Sequence, residues 1–334
     1  MVTVGQQLDM ADRAVIAAPV GGGSQFQVVD VIKGSDAVGA VIADAVRGLD
    51  AAPPTVHDSL LLLHDAVAHQ WISVGLMRAN YGDWLRQLTA TSLVKGERPR
   101  TAWPRTIASS ALSYAGWRQR VALVLPHLES PDALVSQIAW SELARAPYAV
   151  LDVAKSRIDA TTVEGWLSDP KLTARHAVYT LLLGFVGGTT EAARLEQRME
   201  ASWNGHDATD LAAMIGADLE LRGPSRVDWV ESKYFADRQR TMPEIEAALL
   251  ALEVQGEADH AVPRARVIEA YRMFIRERPQ MAGFVALQLA DWSYWDAAGE
   301  YATLLRSQVI KDQGSELAVA SYLQQATAAG APPK

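Results

Sequence analysis

The rhythm of hydrophobic positions changes once along the chain. Over residues 1 to 90 it reads as strands. Residues 13–18 form a short apolar run, and residues 25–32 place Phe26, Val28 and Ile32 on one face with polar or β-branched neighbours between them. Residues 38–43 make a third strand. The Leu60-Leu61-Leu62-Leu63 run and residues 70–74 pair as a hairpin around His64 to His69. Gly21-Gly22-Gly23-Ser24 is too rich in glycine for anything but a turn, and Pro53-Pro54 marks a loop. Five short strands predict a small closed or sandwiched β domain, which leaves few unpaired edges.

Beyond a Pro-bearing segment at 91–106, nearly everything has helical period. Val135, Ile138, Ala139 and Leu143 share one face, as do Ala177, Val178, Leu181, Leu182 and Phe185. Helix starts fall at Ser130-Pro131-Asp132, Thr189-Thr190-Glu191 and Thr241-Met242-Pro243-Glu244, where cap residues precede acidic or Pro-bearing first turns. Shifting the chain by 39 residues superposes His127-Leu128-Glu129-Ser130-Pro131 on Trp166-Leu167-Ser168-Asp169-Pro170. The same shift sets Ile138 on Ala177, Trp140 on Tyr179 and Leu143 on Leu182. A helix pair cannot cover its own apolar face, so pairs recurring at about 40 residues stack on one another. The expected fold is therefore α+β in two domains. A β-barrel-like domain (1–90) and a basic linker (91–106) precede a right-handed α-solenoid (107–326) of HEAT type and a frayed tail (327–334).

Three stretches carry a wider resemblance: residues 26–34 (Phe-Gln-Val-Val-Asp-Val-Ile-Lys-Gly), Arg145-Ala146-Pro147-Tyr148 and Leu181-Leu182-Leu183-Gly184. The layout resembles a group of bacterial proteins, many of them exported, that place an OB-like or netrin-like β domain before HEAT-like repeats. Netrin-like modules are commonly disulfide-linked and this chain has no cysteine, so OB-like is the better label. The resemblance implies the fold and no chemistry, and it leans towards the cell envelope. The chain opens without the basic and apolar stretches of a signal peptide, which leads to the expectation that an export signal has been removed.

Composition narrows the chemistry. The 334 residues carry no cysteine, which excludes disulfides, thiolate zinc sites, iron–sulfur clusters and a cysteine nucleophile. No apolar run approaches the ~20 residues of a membrane-spanning helix. The net charge of −8 argues against a general nucleic-acid binder. That charge is uneven: residues 1–90 carry −4, residues 91–130 carry +4 and residues 131–334 carry −8. The glycine-rich turn lacks the Lys-Ser/Thr of a phosphate loop, and neither a Gly-x-Ser-x-Gly nor a His-Glu-x-x-His motif occurs.

Two clusters remain. The basic stretch holds Arg98, Arg100, Arg105, Arg118 and Arg120, with Trp103 and Trp117 between them, and would suit an anionic partner. Its plainer reading is a set of arginines paired with the acidic segments on either side. His57, His64 and His69 gather around the hairpin beside Asp58 and Asp65 and are the weak candidates for a metal; surface-loop histidines are the plainer reading. Asp291-Trp292-Ser293-Tyr294-Trp295-Asp296 resembles the Trp and Asp of helical DNA glycosylases, but the overall acidity opposes that reading and core aromatics at a helix turn are the default. The ten tryptophans are spread as packing residues would be.

The function expected is non-catalytic: a scaffold whose helical repeats bind a protein or peptide of basic character, without a cofactor or nucleic acid. The alternatives are an enzyme, metal-dependent or not, at the domain junction, and a glycosylase-like solenoid.

Overall fold

A computed structural model describes residues 2–20, 25–43, 45–47, 58–97 and 112–331. The chain forms two compact units, Met1–Ile158 and Asp159–Lys334.

The first unit opens on a short helix, α1 (Val4–Met10), closed by a capping box: Thr3 Oγ1 accepts from the Gln6 amide, and Gln6 Oε1 accepts from the Thr3 amide. Six strands follow: β1 (Arg13–Val20), β2 (Gln25–Lys33), β3 (Val41–Ala43), β4 (Val46–Arg47), β5 (Leu60–Asp65) and β6 (Gln70–Leu76). They pair in the order β3-β2-β1-β5-β6-β4, antiparallel except for the two-residue β4 beside β6. The five longer strands are those the sequence pattern predicts.

The position of each strand follows from its composition. Ala14–Ala17 and Leu60–Leu63 are apolar on both faces and buried on both, and they occupy the two central strands. The alternating β2 buries Phe26, Val28 and Ile32 and exposes Gln25, Gln27 and Val29. One core cluster joins Val15, Ala17, Phe26, Val28, Ile42, Leu60 and Leu62, all from strands. The sheet therefore curls over its own apolar face. It does not close among the described residues, because the short β3 and β4 stand at opposite ends of the order.

The sequence pattern overlooks two helices of this unit, α1 and α2 (Gly82–Ala90). The second packs on β2, tied by Arg86 to Asp30 Oδ1 at 2.8 Å and to the Val31 carbonyl at 2.9 Å. Helices α3 (Tyr114–Val124) and α4 (Ala133–Arg145) complete the unit. It thus extends past the change of pattern near residue 95.

The second unit is helical throughout among its described residues. It contains α5 (Ala160–Ser168), α6 (His176–Val186), α7 (Thr189–Gly205), α8 (Leu211–Arg222), α9 (Val227–Val230), α10 (Met242–Ala258), α11 (Arg264–Glu277), α12 (Ala286–Asp291), α13 (Ala298–Arg306) and α14 (Gln313–Ala328). A single wide turn of π-helix, Glu231–Ala236, continues α9. Starts fall at the caps read from the sequence: Glu191 accepts from the Gly188 amide at 2.7 Å, and Glu244 accepts from the Thr241 amide at 2.8 Å. Neighbours meet in chain order: α5 with α6, α6 with α8, α7 with α8, α8 with α10, α10 with α11, and α12 and α13 with α14. No helix among the described residues is long and apolar enough to cross a membrane.

Candidate functional site

Of the basic stretch, Arg98, Arg100, Trp103 and Arg105 lie outside the described residues. Trp117, Arg118 and Arg120 sit on α3. Trp117 and Arg120 are both 0% exposed and lie in the interior of the first unit. Arg120 fills a slot on the apolar stripe Trp117, Val121, Val124, and its guanidinium is satisfied all round. Nε donates to Thr91 Oγ1 (2.7 Å), the two terminal nitrogens fork onto Asp9 (2.7 and 2.8 Å), Nη1 also reaches Glu142 (2.8 Å), and Nη2 reaches the Leu88 carbonyl (2.9 Å). Burial alone would lower the Arg120 pKa, but the Asp9 and Glu142 carboxylates outweigh it and raise it. Glu142 is shared with Arg145 and with the Thr3 hydroxyl. A Cβ on Gly5 would stand 2.2 Å from Glu142 Oε1, so a larger residue at this point of α1 would have to displace the Glu142 carboxylate from its partners. Arg118 is exposed and forks onto Asp152 at 2.7 and 3.1 Å.

The hairpin around His64 to His69 forms as predicted, with Asp65 accepting from the Val67 and Ala68 amides in its turn. His57 lies outside the described residues. His64 points inward, with Nδ1 2.7 Å from Asp12 Oδ1, whereas His69 is exposed in a left-handed turn position. No group of three or more His, Asp or Glu side chains suited to a metal occurs among the described residues. Trp292 of the aromatic stretch packs within the second unit. It stacks on Tyr271 at 5.7 Å, its Nε1 donates to Glu257 at 2.9 Å, and it lies so close to Gly256 that a Cβ there would be 2.4 Å from the ring.

The feature that recurs is in the second unit. Hydrogen bonds link residues about forty positions apart, close to the 39-residue shift seen in the sequence. Arg240 Nη1 donates to the Trp203 carbonyl (37 residues, 2.8 Å) and Gln255 Nε2 to the Gly216 carbonyl (39 residues, 3.0 Å). Arg266 Nη2 donates to Asp228 (38 residues, 2.6 Å), and Arg278 Nε donates to the Phe235 carbonyl (43 residues, 2.9 Å). Arg240 and Arg278 do the same work. Each stands just before a Pro-started segment and places a cation on the carbonyl end of an earlier one, α7 for Arg240 and the π turn for Arg278. Unsatisfied terminal carbonyls and the negative helix end both favour a guanidinium there. Two cations approach the Trp203 ring, Lys233 Nζ at 4.2 Å and the Arg240 guanidinium at 4.5 Å from its centroid. Close approach adds to the linkage, since a Cβ on Gly184 of α6 would be 2.7 Å from Ala217 Cα of α8.

Charge divides with the two units. The first carries fourteen Lys/Arg and fourteen Asp/Glu; the second carries seventeen against twenty-five and so holds the whole net charge of −8. None of the known protein families, curated proteins or solved structures compared with the chain matches it.

Proposed function

We propose that the chain is a non-catalytic binding protein whose second unit is a HEAT-like stack of helix pairs that presents an extended surface to a protein or peptide of basic character. The observation that carries this reading is the set of hydrogen bonds at repeat spacing. They join segments between residues 203 and 278 that lie about forty positions apart, and a stack built by repetition offers a long surface instead of a single cleft. The concentration of negative charge in the same unit gives that surface its preferred partner, because a field of one sign steers and retains the opposite charge.

The test is an array of peptides matched in length and graded in charge, probed with the full chain. Binding is expected to follow Lys and Arg content and to weaken as salt rises. A triple variant, Glu200→Lys, Glu246→Lys and Glu269→Lys, changes three exposed acidic positions on α7, α10 and α11 and is expected to weaken binding to the basic peptides. Preference for acidic or neutral peptides, or indifference to the triple variant, contradicts the proposal.

A further inference from the structure

The first unit holds a feature that the scaffold reading does not use. A cavity of about 480 Å³ opens beside the β5–β6 hairpin, a size that suits a small organic ligand. Its walls are mostly apolar: Val2, Met10, Leu63, Val67 and Ile72, with the His64 ring among them. Several of these are large apolar residues left uncovered, Val67 at 92% exposure and Met10 at 68%. Apolar side chains gathered at one mouth mark a place where something apolar is accommodated.

His64 gives the cavity its polar point. The residue is 7% exposed, and Trp71 meets its ring edge-on at 5.2 Å. Nδ1 is held by Asp12 Oδ1 at 2.7 Å, and this hydrogen bond is the main cause that keeps the Asp12 carboxyl below its ordinary value. In the tautomer whose Nδ1–H donates to Asp12, the lone pair of the imidazole falls on Nε2. No hydrogen bond to Nε2 is found among the described residues. An acceptor at the wall of an apolar cavity, with no donor among the described residues, can take one from a ligand.

The charge around it selects which donor. Asp65 lines the cavity and Asp12 stands behind the imidazole, while no lysine or arginine is among the described lining residues. The nearby Arg13 is engaged, with its guanidinium 3.1 Å from Asp36 and over the Trp71 ring at 4.9 Å. A carboxylate ligand would face two carboxylates with no cation to meet it. An ammonium group has hydrogens for Nε2 and a charge that both aspartates favour.

We propose that this cavity binds a small apolar amine, its alkyl or aryl body against Met10, Val67 and Ile72 and its ammonium group donating to His64 Nε2. The site lies wholly in the first unit and does not depend on the function assigned to the helical one.

The experiment uses the full chain with ¹⁵N-labelled histidine. The two-bond proton–nitrogen spectrum of His64 is followed at mildly alkaline pH during titration with hexylamine, hexanol and hexanoate. Hexylamine is expected to shift the Nε2 resonance saturably, and hexanoate to bind at least about tenfold more weakly, the scale of one charge-assisted hydrogen bond. His64→Phe keeps the ring and removes Nε2; in calorimetry it is expected to abolish the preference for the amine over the alcohol. Met10→Ser changes an exposed position that the fold does not rely on and is expected to weaken all the apolar ligands that bind. Absence of a saturable shift, equal or tighter binding of hexanoate, or amine binding untouched by both variants overturns the proposal.

Discussion

Arg120 is a fully buried cation whose donors all reach Asp9, Glu142, Thr91 or the Leu88 carbonyl. Removing it deprives the partly buried Asp9 of its two-pronged partner and takes one donor each from the buried Glu142 and the Leu88 carbonyl. Arg120→Ala is therefore expected to cost about 3–5 kcal/mol, measured as a shift in the urea unfolding curve of the full chain. Arg118→Ala on the same helix breaks an exposed pair and is expected to cost less than about 1 kcal/mol. Glu244 supplies a pH test. Burial would raise its pKa, but hydrogen bonds from the Thr241 amide and hydroxyl and from His206, together with Arg240, hold it below the ordinary value of 4.5. A carboxylate whose folded pKa is depressed adds stability that is fully present above 4.5 and is lost as pH falls through the lower folded value. Glu244→Gln is expected to be less stable at neutral pH and to lose less on acidification, read from unfolding midpoints along an acid series. The sequence carried a signal for these residues. Arg120, Glu142 and Glu244 each sit on or beside an apolar stripe of their own helix, where a charge must find a partner. What spacing could not supply was the partner: Asp9 is 111 residues from Arg120.

At the scale of elements, close backbone approach makes the sharpest contrast. Gly184 faces the Ala217 backbone, which no rotamer change can move aside, so Gly184→Val is expected to push α6 from α8 and cost about 1–3 kcal/mol. Gly165, in the middle of α5, has nothing within 4 Å of the place a Cβ would take, and Gly165→Ala is expected to stabilise the chain by about 0.5–1 kcal/mol through helix propensity alone. Thermal unfolding of the two variants checks both signs. Elements that announce themselves locally were legible: the continuous runs in β1 and β5, the alternation in β2, the hairpin turn, and the caps at Asp132, Glu191 and Glu244. Helices α1 and α2 were not, because they are short and lie amid strand-forming sequence. The basic stretch read as one surface because charge along a sequence does not show depth. Trp117 and Arg120 are interior, whereas Arg118, between them in sequence, is at the surface.

For the whole molecule, the separation into a neutral sheet-bearing unit and an acidic helical one matters more than any single pocket. The 39-residue self-similarity near residues 127–182 pointed to the period. The hydrogen bonds from Arg240, Gln255 and Arg266 show a similar spacing in a region where the sequence shows no clear self-similarity. The bonds from Arg240 and Gln255 to backbone carbonyls each fix a single side chain, so they leave little periodic trace in the sequence. If the helical unit is a stack, a local lesion stays local, since each repeat depends chiefly on its neighbours. Hydrogen–deuterium exchange of the full chain carrying Arg278→Ala is the direct test of that claim. The account predicts faster exchange centred on the π turn Glu231–Ala236 and on the segments next to it, with α5 and α6 unchanged. Equal acceleration throughout the second unit would mean a single cooperative core and would contradict it.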